Sequence, residues 1–225
     1  PHGLERVREA LEAVEPRPGV FISDYVRRLD PSYVKKGQSR SQWVDALRAD
    51  IREQKAKHGT DRAVMVWCAS TERFLDPEPV HQSLAAFEQG LADNDLSIAP
   101  SQMYAYAALM EGVPMANGAP NLTLEIPALQ ELALQQGLPI AGKDFKTGQT
   151  FMKTLLAPGL KAKLLGVQGW FSTNILGNKD GLVLDEPDNF RTKEHSKLES
   201  LHSIFEAERY PELYGDLHHT VRINY

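Results

Sequence analysis

A short apolar run, AVMVWCA at 63–69, is the segment that most constrains the fold of this chain. An apolar run of this length, bounded by polar residues, is typical of a strand that is covered on both faces of a parallel sheet. Cys68 lies within the run, so we expect it to be an inert core thiol. The polar stretch STER at 70–73 follows directly, and ligands of open α/β sheets bind at the carboxyl ends of the strands. The pattern therefore predicts a ligand site beside 70–73.

Helical and strand patterns alternate on both sides of this run. A helical pattern after Ser39 or Ser41, either of which could be its N-cap, places Trp43, Leu47 and Ile51 on one stripe and closes at 58–61. Further helical patterns cover 4–14, 83–91, 101–110 and 127–134, and a second short strand pattern covers 138–142. The alternation predicts a doubly wound α/β layer through about residue 150.

The pattern changes after Thr150. The sequence then predicts, in order, a helix near 151–156, a strand over 164–172, an Asn- and Gly-rich loop, a charged helix over 193–205 and a final alternating strand over 220–225. The chain begins within a helical pattern and ends within a strand pattern. We therefore expect it to be the middle piece of something longer.

The composition excludes several classes of protein. Of the 225 residues, 42% are hydrophobic and 24% are charged, which is the usage of a folded, soluble protein. A net charge of −5 argues against a nucleic-acid binder or a peripheral membrane protein, and no apolar run is long enough to span a membrane. One cysteine allows neither an intrachain disulfide nor a cysteine-rich zinc site, which suits a reducing cytosol. His218 and His219 are adjacent and would point to opposite faces of a strand, so we expect surface histidines and no metal site.

The densest polar signal is the loop GKDFKTGQT at 142–150, between a predicted strand and a predicted helix. Backbone N–H groups and the helix dipole both favour an anion at a helix start, so the loop is suited to bind phosphate. It is not a nucleotide P-loop, because the glycine spacing differs and Gln149 stands where that motif has lysine. The alternative is a simple strand-to-helix turn with Thr147 as the N-cap.

Two more polar clusters follow. The loop 174–181 carries amide and carboxylate groups that could hold the hydroxyls of a polyol, although its composition is equally that of a turn. In the cluster 190–197, a helix would place Lys193 and Lys197 one turn apart on one face. Like charges at that spacing repel, so a shared anion would explain them, and a solvated charged face is the alternative.

Taken together and in this order, the polar segments resemble the myo-inositol-1-phosphate synthase family. The matching segments are WCASTER at 67–73, IAPS at 98–101, EGVP at 111–114, NGAP at 117–120, the loop 142–150, and the clusters 174–181 and 190–197. The resemblance runs over nearly the whole chain. It implies an α/β fold in which 1–150 are the remainder of a Rossmann-like NAD-binding domain, without the glycine fingerprint, and 151–225 open an α+β catalytic and tetramerisation domain.

The resemblance implies NAD-dependent cyclisation of glucose 6-phosphate to inositol 3-phosphate, the first step of inositol biosynthesis. The steps would be oxidation at C5, loss of a C6 proton, an intramolecular aldol of C6 onto C1, and reduction by the stored hydride. It further implies a cytoplasmic homotetramer with no nucleic-acid or membrane partner. Whether an ammonium, potassium or divalent cation assists stays open.

The resemblance also implies roles for individual residues. Lys193 would exchange the C5 hydroxyl proton, and Asp144 would orient the lysines and the nicotinamide. The other implied site residues are Thr147, Gly148, Gln149 and Lys197 for the phosphate, Asn174, Asn178 and Asp180 around the substrate, and Ser70 and Thr71, with Asp144, for the cofactor.

The sequence departs from the family pattern at a few positions. Many members have an aspartate where Lys143 stands, a serine at Thr147, a histidine at Ile175 and an asparagine at Lys179. Lys143 would reverse a charge beside the site. Two other functions stay open: a catalytically silent fragment or subunit that binds phosphosugar or only assembles with partners, and a related cyclase for a different phosphosugar.

Overall fold

A computed structural model describes residues 3–5, 8, 14–145, 148–175 and 179–224. Residues 3–5 and 8 are helical, as predicted, and the rest of the first predicted helix lies outside the described residues. Within these ranges, no helix has both the length and the apolar character that crossing a bilayer requires.

The first part of the structure is a three-stranded parallel sheet with helices packed against it. The strands lie in the order β1, β2, β3, and their last residues, Trp67, Asn117 and Gly142, are in register. The elements are α1 (Arg40–His58), β1 (Met65–Trp67), a 3₁₀ helix (Pro79–His81), α2 (Leu84–Ala92), α3 (Pro100–Met110), β2 (Met115–Asn117), α4 (Pro127–Gln136) and β3 (Ile140–Gly142). The α/β class predicted from the alternation is confirmed.

Local signals in the sequence set the ends of α1. The Ser39 side chain accepts a hydrogen bond from the Gln42 backbone N–H, and Gly59 closes the helix in the left-handed region at φ 57°. Helix α3 is the most buried element, because it packs against α1, α4 and β2. Its residues Met103 and Leu109 are fully buried in the core that covers the sheet.

The second part of the structure has its own sheet and its own apolar core. Strands β4 (Gly169–Ile175) and β5 (His218–Asn224) pair in parallel, and α5 (Gly148–Ala162) packs against α7 (Pro187–Phe205). Two short helices, α6 (Asp180–Leu184) and α8 (Pro211–Tyr214), complete this part. Its core contains Ala157, Leu201, Phe205, Tyr214 and Leu217.

The boundaries of several elements differ from the prediction: α7 begins at Pro187 and not at 193, and β5 begins at His218 and not at 220. Helix α5 runs to Ala162, well beyond the predicted end, and β4 begins only at Gly169. Leu164 takes a left-handed backbone conformation at φ 53°, in the turn that follows the helix, and its side chain is 67% exposed. The apolar residues 164–165 therefore belong to this turn and not to the strand.

Three predictions about burial are wrong. Strand β1 is covered on only one face, because no described element packs over the side chains of Val64 and Val66, which are exposed, while Trp67 is buried. Cys68 is exposed, since it lies past the end of the strand. His219 is buried at 4% exposure, because its side of β5 faces the second core, whereas His218 points outward as predicted.

Candidate active site

The centre of the candidate site is an ion pair between Asp144 and Lys193. Asp144 follows β3, and its backbone N–H donates to the Ala119 carbonyl oxygen at 3.0 Å. Its carboxylate accepts a hydrogen bond from Lys193 Nζ at 2.7 Å and one from Ser196 Oγ at 3.1 Å. The Asp144 side chain is 8% exposed and that of Lys193 is 19% exposed. A carboxylate thus holds a half-buried ammonium group in a fixed place.

A second lysine of α7, Lys197, extends its ammonium group to the first turn of α5. Lys197 Nζ donates to Gln149 Oε1 at 3.0 Å. The same oxygen accepts from Ser172 Oγ of β4 at 3.1 Å, and the Gln149 amide nitrogen donates to the Thr173 carbonyl oxygen. This network joins α7, α5 and β4 beside Gly148, which begins α5.

A third lysine, Lys153 of α5, is fully buried behind this network. Its Nζ donates to the Lys197 carbonyl oxygen at 2.7 Å and lies 3.5 Å from Ser200 Oγ. His219 Nε2 lies 2.8 Å from Ser172 Oγ. Burial, together with the charges of Lys153 and Lys197, lowers the pKa of His219 to about 4, so the imidazole is neutral at physiological pH.

A cleft of about 180 Å³ opens at the carboxyl ends of β1 and β2. Lys193 lies at this cleft, which therefore reaches the Asp144–Lys193 pair. A side chain at Gly118 would be excluded there, because a Cβ would stand 2.8 Å from the Phe145 ring and the Trp67 carbonyl oxygen. The other lining residues are Cys68, Ala69, Ser70, Thr71, Ala119, Pro120, Asp180, Val183 and Leu184.

Two helices hold the loop 70–73 in place: Asn189 of α7 bonds to its backbone, and Ser101 of α3 bonds to the side chain of Glu72. Asn189 Nδ2, near the start of α7, donates to the Thr71 carbonyl oxygen at 2.7 Å and to the Tyr25 carbonyl oxygen at 2.8 Å. The buried Glu72 carboxylate accepts from the Ser101 backbone N–H at 2.9 Å and from Ser101 Oγ at 2.7 Å. Burial raises the pKa of Glu72 to about 7, although these hydrogen bonds oppose the shift.

The structure brings together most of the predicted site residues that it describes. Ser70, Thr71, Asp180 and Lys193 line one cleft, and Asp144 pairs with Lys193 at that cleft. Gly148, Gln149 and Lys197 form the neighbouring network. Thr147 and Asn178 lie outside the described residues, and only the backbone of Asn174 is described, paired in β4 with Ile223.

Lys143 does not point its charge at the ion pair. Its ammonium group lies 3.0 Å from Glu199 of α7 and 3.4 Å from Glu125. These carboxylates raise the pKa of Lys143 despite the opposing effect of partial burial, so the group stays charged and paired. The departure from the family pattern is thus balanced by two local acidic residues.

Sequence reasoning missed five residues of this network: Ser196, Lys153, Ser172, His219 and Glu72. Ser196 could have been found, since it lies three positions after Lys193 on the same helix face. Glu72 lies in the polar stretch 70–73 that the sequence singles out, but its hydrogen bonds to Ser101 do not follow from that stretch. Lys153, Ser172 and His219 carry no signal in the sequence, because their partners come from distant segments. Within the described residues, no three His, Cys, Asp or Glu side chains form a group that could hold a metal ion.

Comparison with known proteins agrees with this geometry. An NAD-binding family model described as myo-inositol-1-phosphate synthase matches residues 1–204. Inositol-3-phosphate synthase 1 of Bacteroides thetaiotaomicron is 52% identical over 99% of this chain and 52% of its own length. Inositol-3-phosphate synthase 1 of rice, Oryza sativa subsp. japonica, is 37% identical over 86% of this chain and 38% of its own length.

Solved structures of an inositol-3-phosphate synthase and of a related protein are also similar to this chain. A crystal structure of inositol-3-phosphate synthase from Caenorhabditis elegans superposes with a TM-score of 0.85 at 30% identity, over 100% of this chain and 45% of that one. A related protein from Thermotoga maritima has the same fold, with a TM-score of 0.72 at 24% identity over 98% of this chain and 57% of that one. The chain spans about half the length of the first curated relative. It belongs to the myo-inositol-1-phosphate synthase family.

Proposed function

We propose that the protein that carries this sequence converts glucose 6-phosphate into inositol 3-phosphate with NAD as cofactor. The observation that carries the proposal is the Asp144–Lys193 pair at the cleft, with Lys197 one helical turn further along α7. This arrangement gives a proton-transfer group and a phosphate-binding charge on one rigid element. A subunit that only assembled with partners would not need it, so we favour the enzyme over the silent alternative.

The cleft fits the nicotinamide end of NAD. At about 180 Å³ it is smaller than the roughly 300–1,000 Å³ of pockets that enclose a whole ligand, so it suits one end of a dinucleotide. Ser70 and Thr71 supply hydroxyl groups there. When bound, NAD would take up and return the hydride.

Lys193 is the proposed proton-transfer group. An ammonium group at the cleft can donate to the C5 oxygen of the sugar and, as neutral amine, take the hydroxyl proton when that carbon is oxidised. Asp144 fixes the ammonium nitrogen at 2.7 Å, and its second oxygen is held by Ser196. The same positive charge would stabilise oxyanions that develop at the sugar during enolisation and ring closure.

Lys197 and the start of α5 form the proposed phosphate end of the site. Both functional atoms of the Gln149 amide already have protein partners, so its side chain would act by holding Lys197. Its backbone and that of Gly148 lie in the first turn of α5, where the helix dipole favours an anion. By family match we add Thr147 to this end and place Asn174, Asn178 and Asp180 around the sugar.

The proposal also covers the division of the chain into domains, the oligomeric state and the location of the protein in the cell. Residues 1–150 would be the NAD-binding portion and 151–225 the opening of the catalytic and oligomerisation portion, in a homotetramer working in the cytoplasm. The main apolar clusters of the two portions are distinct and support such a division, and a smaller cluster of Tyr25, Val26, Ala99 and Val183 packs one portion against the other. An assisting monovalent or divalent cation would be revealed by loss of activity after chelation or exchange of the monovalent salt.

The direct test is product formation. Glucose 6-phosphate and NAD are incubated with the protein, and inositol phosphate is identified by NMR. We expect product with NAD present and none with Lys193→Ala, while Lys163→Ala, which changes an exposed lysine of the turn after α5, keeps full turnover. Normal turnover in Lys193→Ala would remove that residue from the mechanism. Absence of product from the wild type would refute the proposed function.

A further inference from the structure

A chain of three hydrogen bonds connects a buried histidine to Lys197. It runs from His219 of β5 to Ser172 of β4 at 2.8 Å, then to Gln149 Oε1 at 3.1 Å, and from that oxygen to Lys197 Nζ at 3.0 Å. Each step passes to a different element. The paired strands β4 and β5 therefore reach the proposed phosphate end of the site through side chains alone.

The chemistry of the groups fixes the direction of every bond in this chain. A lysine ammonium only donates, so the Gln149 atom that faces Lys197 is the oxygen. That oxygen only accepts, so Ser172 must use its single proton on it. The remaining partner of the Ser172 oxygen then has to be a donor, which requires a proton on His219 Nε2.

The surroundings of His219 keep the ring neutral. The residue is 4% exposed, and the charged groups that face it are the ammonium groups of Lys153 on α5 and Lys197 on α7. A neutral imidazole carries one proton, so a proton on Nε2 leaves Nδ1 bare. In agreement, Nδ1 is buried and has no hydrogen-bond partner among the described residues.

We propose that His219 is a positioning residue for phosphate binding: its Nε2–H directs the Ser172 hydroxyl at Gln149 and thereby holds the amide oxygen against Lys197. The inference deepens the proposed function and rests on it. With the other tautomer, Ser172 would donate to the histidine instead, and two lone pairs would face each other between Ser172 and Gln149. The Gln149 amide would then lose one of the groups that fix it.

The first experiment reads the tautomer without any ligand. Long-range ¹H–¹⁵N NMR of the imidazole rings distinguishes the two neutral forms, and His219→Gln assigns the His219 signals by their loss. We expect the Nε2–H form at pH 7. A spectrum of the Nδ1–H form would overturn the inference.

The second experiment measures the affinity for glucose 6-phosphate by calorimetry with NAD present, and KM and kcat by product formation. His219→Leu removes the donor, whereas a Gln side chain can place an amide N–H near the Nε2 position. We expect binding to weaken about tenfold in His219→Leu, with KM rising more than kcat falls, and to recover in His219→Gln. The matched control is His218→Leu on the opposite face of β5, which should bind as the wild type does.

The outcomes separate the two proposals. Wild-type affinity in His219→Leu, or a His219→Gln variant as weak as His219→Leu, would overturn the positioning role. A wild-type protein that binds no glucose 6-phosphate would refute the proposed function, and the tautomer spectrum would still test the hydrogen-bond chain by itself.

Discussion

Asp144→Asn tests the central ion pair, because asparagine keeps the shape of the side chain and removes its charge. Asp144 has a left-handed backbone conformation at φ 55°, which asparagine tolerates well, so the substitution adds little backbone strain. The amide oxygen can still accept from Lys193, and the amide nitrogen can donate to Ser196. Any loss of stability therefore measures the charge.

The size of the loss follows from the two hydrogen bonds. Hydrogen bonds to charged groups contribute about 1.5–3 kcal/mol and neutral ones about 0.5–1.5 kcal/mol, so the Ser196 bond, which becomes neutral, loses about 1–1.5 kcal/mol. The Lys193 bond keeps its charged donor and loses the attraction of the opposite charge, which brings the total to about 1–3 kcal/mol. The Lys193 side chain is 19% exposed, and solvent screening reduces the effect toward the lower half of that range. We expect the free energy of unfolding to fall by about 1–2 kcal/mol.

The assay is urea unfolding of the wild type, Asp144→Asn, Lys193→Met and the double variant. If the residues interact, the double variant loses less stability than the sum of the single ones. Asp61→Asn, at an exposed position, is the control and should stay within about 0.5 kcal/mol of wild type. An Asp144→Asn variant equal to that control, or additive losses, would refute the ion pair as a stabilising contact.

Three further predictions follow from the same network. Lys197→Ala should weaken glucose 6-phosphate binding more than it lowers kcat, and an unchanged affinity in calorimetry would contradict its phosphate role. Lys153→Met should lower the free energy of unfolding by about 1–3 kcal/mol, because the hydrogen bond from the charged Lys153 group to the Lys197 carbonyl oxygen is lost, while Ser200 Oγ still donates to that oxygen; urea denaturation measures this loss. The pKa of Glu72 rises from 4.5 to about 7, so the folded state binds more protons between these values, and stability should fall as pH rises from 4.5 to 7. Denaturation at both pH values should show a smaller fall in Glu72→Gln, and an identical fall would show that another group causes it.

The sequence predicted those features that depend on neighbouring residues. The Ser39 cap, the Gly59 stop and the extents of α2 to α4 follow from local hydrogen bonding and helical periodicity. The polar stretch after β1 lies beside a cleft at the carboxyl ends of the strands, as expected, because the end of a parallel strand is itself a local feature; that this cleft binds a ligand stays a prediction.

Features that depend on distant segments could not be predicted. The uncovered face of β1 and the exposure of Cys68 depend on which elements pack there, and the run AVMVWCA does not record this. His219 lies just before the predicted strand 220–225, and its burial depends on α5 and β4, which come from earlier parts of the chain. The family resemblance supplied Lys193 and Lys197, but the hydrogen bonds that hold them were visible only in three dimensions.

Helix α7 also sets how far apart the parts of the site lie. Asn189 donates a hydrogen bond to the loop 70–73, Lys193 pairs with Asp144, and Lys197 donates to Gln149. These three residues of α7 are spaced by four positions. At about 1.5 Å of rise per residue, successive contacts are about 6 Å apart along one axis. The proposed cofactor, proton-transfer and phosphate contacts would therefore keep a constant separation while the loops around them vary. A one-residue insertion between the lysines would rotate Lys197 by about 100° more relative to Lys193 and turn it off the shared face.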